Sequence, residues 1–305
     1  MSGAAAQIPA AGEVVLDHVG LFVPNLEAAA AGLARLGFRL TPFSAQWQGE
    51  NPGQPPVAAG TANRLALLPR GYLEVLAPIA DTPLASQMRR AVDRYVGLHL
   101  LAFGSADAEA DRRRLAAAGF APLPVVHIER TLDAEMGGGQ VRFSVVRVPP
   151  EAMPEGRIQY CRHHTPAQVW QPGWVEQANH AEALADVLLC VDHPAETAAR
   201  FGRFVGRAPA SDRYGRVLRL DRGRIAFRER AAIARLMPRL EVPTTPFIAA
   251  VGLTTTDLHA TMEVLAAGEI AFAEPRDGVV TARVPGAAMT LVFTREGAKP
   301  PWLPA

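Results

Sequence analysis

Three ionisable residues of this chain stand inside short segments that are otherwise apolar. His18 lies in VVLDHVGLF, Glu74 in YLEVLAP and His99 in GLHLLAFG. Because side chains alternate along a strand, His18 is predicted to share a face with Leu16, and Glu74 to share one with Tyr72. A charge in such a place is costly unless it is paired or binds a ligand. Two imidazoles and a carboxylate suit a divalent ion, and Glu74 without an ion is a candidate general base.

The same residues also have a purely structural interpretation. His18 and His99 would then be core histidines bonded to backbone carbonyls, and Glu74 would pair with an arginine such as Arg64. Asn63 and Arg64 lie one predicted hairpin away from Glu74, so we also consider them as ligands of a substrate carboxylate, with Arg64 giving a bidentate grip. Equally, Asn63 would be a turn residue and Arg64 a surface charge.

The elements that must position these residues recur along the chain. Residues 14–38 predict a strand, a turn and an amphipathic helix that Asn25 caps and Gly37 ends. Strands follow up to residue 78, and the order strand, helix, three strands begins again near residues 97, 185 and 247. Four βαβββ units account for nearly the whole chain, and this repetition predicts an α+β fold.

We expect the four units to form two halves. The first half, residues 14–172, contains the units 14–78 and 97–166 and all the candidate site residues. The second half, residues 180–296, contains the other two units. Residues 1–13 and 297–305 are expected to be flexible tails.

Composition narrows the class of protein. Of the 305 residues 49% are apolar, which is enough for a large core, and the net charge of +1 gives no reason to expect nucleic acid. No apolar run approaches the ~20 residues that span a bilayer, and the first residues do not follow a signal-peptide pattern. Cys161 and Cys190 match no zinc or redox motif. We therefore expect a cytoplasmic protein that binds a small molecule rather than nucleic acid or membrane.

The repeated unit, with LDHV on its first strand and YLEVLAP on its last, resembles the vicinal oxygen chelate superfamily. That superfamily includes glyoxalases, extradiol dioxygenases, methylmalonyl-CoA epimerases and bleomycin-resistance proteins. GTANRL, GYLEVLAP and HHTPAQVWQP resemble, more narrowly, its glyoxalase-like domain proteins. The resemblance implies that paired units curl into cup-shaped half-barrels. It also implies a divalent metal ion, such as Zn, Mn, Fe or Ni, held by the first and last strands of each unit.

Carried over residue by residue, the resemblance assigns His18 and Glu74 to the metal in the first unit and His99 in the second. The fourth position falls in QYCRHH, where no carboxylate stands. Gln159, His163 and His164 are the candidates there, and we favour His163.

The third and fourth units lack this set. Asp186 stands at the place of His18 in the third unit, and Ala249 or Ala250 stands there in the fourth. Their last strands, RIAFR and MTLVF, carry no glutamate. The second half is therefore expected to be a structural copy.

We expect a metal-dependent lyase, isomerase or dioxygenase that acts on a small oxygenated metabolite, with Glu74 as its catalytic residue. The candidate substrate contacts are Asn63, Arg64, Tyr72 and Trp170. Trp170 follows the HHTP turn and is expected either to close over the pocket or to pack between domains. The competing function is metal-free binding or sequestering of a small molecule in the same cup. A homodimer is a further expectation. How the units pair stays open, and only pairing of the first with the second would bring His18, Glu74 and His99 together.

Overall fold

The computed structural model describes residues 7–49, 57–132 and 134–304. The strands of its first half are β1 (Leu16–Phe22), β2 (Ser44–Gly49), β3 (Val57–Leu67), β4 (Tyr72–Pro78), β5 (Gly97–Gly104), β6 (Val126–Thr131), β7 (Gln140–Arg147) and β8 (Arg157–His163). The strands of its second half are β9 (Ala181–Cys190), β10 (Ala210–Asp212), β11 (Gly215–Arg219), β12 (Arg224–Arg228), β13 (Phe247–Thr255), β14 (Phe272–Arg276), β15 (Val279–Arg283) and β16 (Thr290–Thr294).

The helices of this part of the chain are α1 (Leu26–Arg35), α2 (Pro83–Arg94), α3 (Ala108–Ala117), α4 (Pro166–Val169), α5 (Pro172–Val175), α6 (Pro194–Val205), α7 (Arg230–Leu236) and α8 (Leu258–Ala267). The first helix of each unit follows the first strand, as the repeat predicts. Asn25 caps α1 by accepting from the amide of Ala28, and Asp107 and Asp257 cap α3 and α8 in the same way. None of the helices described is long and apolar enough to cross a membrane.

The first two units close into one eight-stranded barrel, in the order β1-β4-β3-β2-β6-β7-β8-β5. In each unit the first strand runs parallel to the last, so β1 pairs with β4 and β5 with β8. Antiparallel pairing of β1 with β5 and of β2 with β6 joins the two units. Gly20 permits the close approach of β1 to β5, because a Cβ there would lie 2.8 Å from Cβ of Leu100. The predicted α+β fold of four βαβββ units is confirmed, and the first unit pairs with the second.

The other two units form the second cup in the same way. Their strands follow the order β10-β11-β12-β9-β13-β16-β15-β14, with β9 and β13 antiparallel at the centre. This cup is filled by apolar side chains, among them the fully buried Trp302 near the C-terminus. The two cups are joined by a β5–β13 ladder pair between Leu98 and Ile248, by the β-bridges Val15–Arg222 and Arg70–Ala183, and by a core cluster that includes residues of both halves.

A β-bulge interrupts the first strand of every unit at the same place. The extra residue is Asp17 in β1, His99 in β5, Ala185 in β9 and Ala249 in β13. A bulge shifts the alternation of side chains, so residues on either side of it change face. Leu16 accordingly joins the core cluster of Val19 and Leu21, and does not share the face of His18 as predicted.

Both chain ends have buried residues within the part that the structure describes. Residues 1–6 and 305 lie outside that part. Gln7 is buried and bonds the backbone of Pro69 and Gly71, and Trp302 accepts from Arg228 through its carbonyl oxygen. The described segments of both predicted tails are therefore fixed to the fold.

Candidate active site inside the barrel

Asp17, His18 and His163 form a buried cluster deep in the barrel. Oδ2 of Asp17 lies 2.6 Å from Nδ1 of His18 and 3.0 Å from Nε2 of His163. Burial alone would raise the pKa of Asp17, but the charge and hydrogen bonds of His163 and His18 outweigh burial and hold that pKa well below its usual range. Asp17 is thus a carboxylate that can only accept, so both histidines donate to it. Nε2 of His18 lies on the other side of the ring and faces the cavity.

Glu74 lies on the other side of that nitrogen. Its Oε2 is 3.7 Å from Nε2 of His18. Its Oε1 accepts from the side-chain amides of Asn63, at 2.6 Å, and Gln46, at 3.3 Å. Two amides therefore fix one carboxylate oxygen and leave the other directed at His18.

An outer layer of hydrogen bonds fixes those amides in turn. Nη1 of Arg130 donates to Oδ1 of Asn63 at 3.2 Å, and the hydroxyl of Thr61 donates to Oε1 of Gln46 at 2.7 Å. Such partners set the orientation of the groups that contact a ligand. The predicted neighbourhood of Asn63 and Glu74 is present, and the role of Asn63 in it is to hold the carboxylate.

The cavity bounded by these residues is small, with a volume of about 60 Å³. It takes its polar walls from β1, β2, β3, β4, β6, β7 and β8, whose alternate side chains point inward. The polar residues that line it are His18, Gln46, Asn63, Tyr72, Glu74, Arg130, Arg147, Arg157, Gln159 and Cys161.

Arg147 and Arg157 place two guanidinium groups at the end of this cavity where β7 ends and β8 begins. Nε of Arg147 donates to Oε1 of Gln159 at 3.2 Å, and the guanidinium of Arg157 lies 5.3 Å from the ring centre of Phe22. Burial lowers the pKa of both groups, and that of Arg157 falls to about 9 with repulsion from Arg147 as the next cause. Within the described residues neither forms a salt bridge, so this end of the cavity favours an anion.

Aromatic side chains close the opposite end. The ring of Tyr72 stacks on His18 at 4.4 Å, and Trp170 meets His163 edge-on at 4.7 Å and Tyr72 at 5.8 Å. Trp170 is buried with Trp174 in one apolar cluster. Tyr72 lines the cavity, whereas Trp170 supports its floor from behind.

The structure does not bring His99 to this site. Its Nε2 bonds the carbonyl oxygen of Tyr95 at 2.9 Å, and its ring stacks on Tyr95 at 3.9 Å. Strand register explains the difference, because His99 is the bulge residue of β5 and so corresponds to Asp17. The counterpart of His18 in the second unit is Leu100, which cannot bind a metal.

Arg64 also lies away from the cavity. It points from the opposite face of β3 to the carbonyl oxygen of Thr41 and to Oε2 of Glu27 at 2.5 Å on α1. Asn63 and Arg64 are neighbours on one strand, so their side chains take opposite faces. Arg64 neither grips a ligand in the barrel nor pairs with Glu74.

Strand register also shows which of Gln159, His163 and His164 occupies the fourth position of the predicted ligand set. Gly20 pairs with Glu74, and the corresponding residue of β5, Ala102, pairs with Gln159. Gln159 is therefore the counterpart of Glu74 and lines the cavity. His163 lies deeper, on Asp17, while His164 points away from the barrel to the hydroxyl of Ser144 at 2.7 Å.

In the second cup the strands pair in the same register as in the first, but other residues stand at the positions of His18 and Glu74. Asp186 follows the bulge of β9, as His18 follows that of β1, and Ala250 holds this place in β13. Arg224 binds both carboxylate oxygens of Asp186 at 2.7 Å. The counterparts of Glu74 are Ala226 and Val292. A salt bridge and apolar side chains thus replace the polar set.

The donor atoms around His18 fit a divalent ion in two overlapping ways. His18 Nε2 and Glu74 Oε2 are 3.7 Å apart, and two ligands each about 2.0–2.2 Å from an ion lie within about 4.4 Å of each other. One donor atom each from Asp17, His18, Cys161 and His163 also lie within 4.8 Å of one another. In that deeper group Oδ1 of Asp17 and Nδ1 of His163 have no hydrogen-bond partner among the described residues.

The first arrangement fits the donor chemistry better. Asp17 Oδ2 already accepts from two histidines, and burial raises the pKa of the Cys161 thiol well above its usual value. Cys161 would have to lose its proton in this buried place to bind an ion, which disfavours the deeper group. A carboxylate on Nδ1 of a histidine whose Nε2 is free is the usual outer partner of a metal-binding histidine.

Five residues of the site were missed by the sequence analysis: Asp17, Gln46, Arg130, Arg147 and Arg157. The alternation of β7 and β8 contained a signal for two of them, since Arg147 shares a face with Val145, and Arg157 with Gln159. No local pattern indicates Asp17, because only the bulge turns it inward.

Comparison with known proteins agrees with this architecture. A family model described as "Glyoxalase-like domain" matches residues 16–205, which include both units of the barrel. No curated protein sequence matches the chain.

Several solved structures share the fold at low sequence identity. A hypothetical protein from Staphylococcus aureus has a TM-score of 0.63 at 10% identity, over 92% of this chain and 99% of its own. A mutant of 4-hydroxymandelate synthase from Streptomyces coelicolor has a TM-score of 0.57 at 16% identity, over 94% of both chains. A xylose isomerase-like TIM barrel/4-hydroxyphenylpyruvate dioxygenase fusion protein has a TM-score of 0.54 at 10% identity, over 93% of this chain and 49% of its own.

These likenesses show that the fold is shared. Because the family model covers more than half of its residues, the chain belongs to the glyoxalase-like domain family.

Proposed function

We propose that this protein is a divalent-metal-dependent isomerase or lyase that acts on a small oxygenated metabolite, with His18 and Glu74 as the metal ligands. The observation that carries the proposal is the chain Asp17–His18–Glu74, in which a buried carboxylate holds Nδ1 of His18 and so directs its Nε2 toward a second carboxylate. Gln159 stands at the fourth register position and offers a further oxygen. When bound, the ion would act as a Lewis acid on a substrate oxygen.

The protein's own groups would orient the substrate and move its proton. Asn63 and Gln46 hold Oε1 of Glu74, so Oε2 is the oxygen that would bind the ion, and it would take a proton from a carbon beside a carbonyl group only when released from the ion. Arg147 and Arg157 would bind an anionic group of the substrate. The aromatic floor of Tyr72 and Trp170 keeps water away from the end where His18 lies.

Proton transfer is favoured over dioxygenation by the residues at the equivalent positions. Oxygen activation by non-haem iron commonly uses two histidines and one carboxylate with open positions on one side of the ion. Here the second histidine position holds Leu100, and His163 bonds Asp17 in a deeper layer. One histidine and one carboxylate suit Lewis-acid assistance of acid–base chemistry.

Metal content of untagged protein tests the ligand assignment. We expect near-stoichiometric metal in the wild type and in His259→Gln, a variant of an exposed histidine on α8, and loss of metal in His18→Gln and Glu74→Gln. Retention in Glu74→Gln with loss in His163→Gln would move the ion to the deeper group. Absence of metal from the wild type after reconstitution would contradict the proposal and favour metal-free binding of a small molecule in the same cup.

A further inference from the structure

A second, larger cavity lies outside the barrel at its arginine end. It has a volume of about 710 Å³ and lies between α2 and the segment from β7 to β8. We call it the vestibule, and its lining residues used here are Phe22, Leu84, Ala91, Leu123, Arg147 and Arg157. Leu84, Arg147 and Arg157 also line the inner cavity, so these three side chains form a neck between the two spaces.

The vestibule walls combine apolar surface with positive charge. Val57 and Leu123 are 63% and 41% exposed at its rim and add apolar surface to it. Arg94 joins Arg147 and Arg157 on its wall, and no carboxylate does so among the described residues. His99 also faces this space, but burial lowers its pKa to about 4, so it is neutral near pH 7.

The inner cavity and the vestibule differ greatly in volume, so a ligand that occupies both has a small part in the first and a large part in the second. The inner cavity of about 60 Å³ matches the liquid volume of roughly two water molecules, and so admits only a group of a few atoms. The vestibule is more than ten times larger, with 710 Å³ against 60 Å³. An anion held at the neck would therefore have a short polar extension inward and a long apolar extension outward.

We infer that the ligand is a 2-oxo or 2-hydroxy acid with an apolar chain. Its carboxylate lies between Arg147 and Arg157, its adjacent oxygen points to His18 and Glu74, and its chain lies in the vestibule. Planar guanidinium groups bind carboxylates with two parallel hydrogen bonds, which fixes the direction of the chain. The inference rests on the proposed function only for the inner oxygen, since the neck and the vestibule do not require a metal.

Binding of a homologous series tests this inference. The probes are 2-oxobutanoate, 2-oxohexanoate and 2-oxooctanoate, measured by calorimetry on metal-loaded and on chelator-treated protein. We expect affinity to rise about three- to four-fold per added methylene, from the usual transfer free energy of that group. The methyl esters of the same acids are expected to bind at least ten-fold more weakly.

Three variants separate the parts of the site. Arg157→Gln should weaken every acid at least ten-fold, whereas Arg142→Gln, on the outward face of β7, should change nothing. Ala91→Phe should fill the vestibule and remove the dependence on chain length while 2-oxobutanoate still binds.

Equal binding of short and long acids by the wild type, or of acids and esters, would overturn the inference. So would undiminished binding to Arg157→Gln. A protein that shows the chain-length dependence but holds no metal would contradict the proposed function and leave this inference standing.

Discussion

Asp17 and His18 are consecutive in the chain, and yet their side chains meet inside the barrel, with Oδ2 of Asp17 2.6 Å from Nδ1 of His18. In a regular strand they would point to opposite faces. The bulge at Asp17 places both opposite Ala102 of β5 and so turns both inward. This local irregularity gives Nδ1 of His18 a carboxylate partner and leaves its Nε2 directed at Glu74.

Asp17→Asn tests the importance of that contact. The amide keeps the shape but carries no charge, and so it no longer fixes the proton on Nδ1 of His18. Loss of such an outer carboxylate typically costs about 10- to 100-fold in metal affinity. Competition with a chromophoric chelator measures it, and Asp107→Asn at the exposed cap of α3 serves as the control. Unchanged metal affinity in Asp17→Asn would show that His18 is oriented without Asp17.

His99 should make the protein sensitive to mild acid. Burial lowers its pKa from 6.5 to about 4, so between these values the unfolded chain binds a proton that the folded protein does not. Stability therefore falls as the pH is lowered through this range. The loss from His99 between pH 7.5 and pH 5 is about 2 kcal/mol.

Urea unfolding of His99→Phe at the two pH values measures this effect. Phenylalanine keeps a ring against Tyr95 but does not titrate. We expect the variant to lose about 2 kcal/mol less on acidification than the wild type. An equal loss in both proteins would assign the acid sensitivity to other groups.

The pair Asp186–Arg224 is expected to be structural. Asp186 is buried and Arg224 binds both of its oxygens, so Asp186→Ala leaves a charge without its partner. Breaking a buried pair in this way costs about 3–5 kcal/mol, and the partial exposure of Arg224 favours the lower figure. The double variant Asp186→Leu/Arg224→Met should recover most of the loss. Urea unfolding measures stability, and unchanged metal content is expected in every case. A change in metal content would contradict a purely structural role.

Trp302 is expected to stabilise the second cup. Its side chain is fully buried among residues of both units there, and its carbonyl oxygen accepts from Nε and Nη2 of Arg228 at 3.1 and 2.8 Å. Trp302→Ala keeps that carbonyl but leaves a large cavity, and comparable truncations cost about 3–5 kcal/mol. Chemical unfolding and metal content report the two halves separately. A loss below about 1 kcal/mol would mean that the cup refills without the indole.

Local sequence determined most of the secondary structure. It also placed Glu74, one of the two residues at the centre of the site, on the inward face of its strand. Alternation in YLEVLAP placed Glu74 inside the barrel, and the predicted last strand of the third unit, RIAFR, coincides with β12 (Arg224–Arg228). Such predictions succeed where a strand is regular, because a regular strand has a fixed period of two residues.

The tertiary structure decided which of these side chains share a site. His99 looked equivalent to His18 in sequence, but a bulge moves it by one position and leaves Leu100 at the position that corresponds to His18. Arg147 and Arg157 reach the cavity only because β2 pairs with β6 and closes the barrel, which brings together residues more than 80 positions apart. Strand period is a local property of the chain, whereas register, bulges and closure depend on long-range pairing, and here that pairing fixed the chemistry.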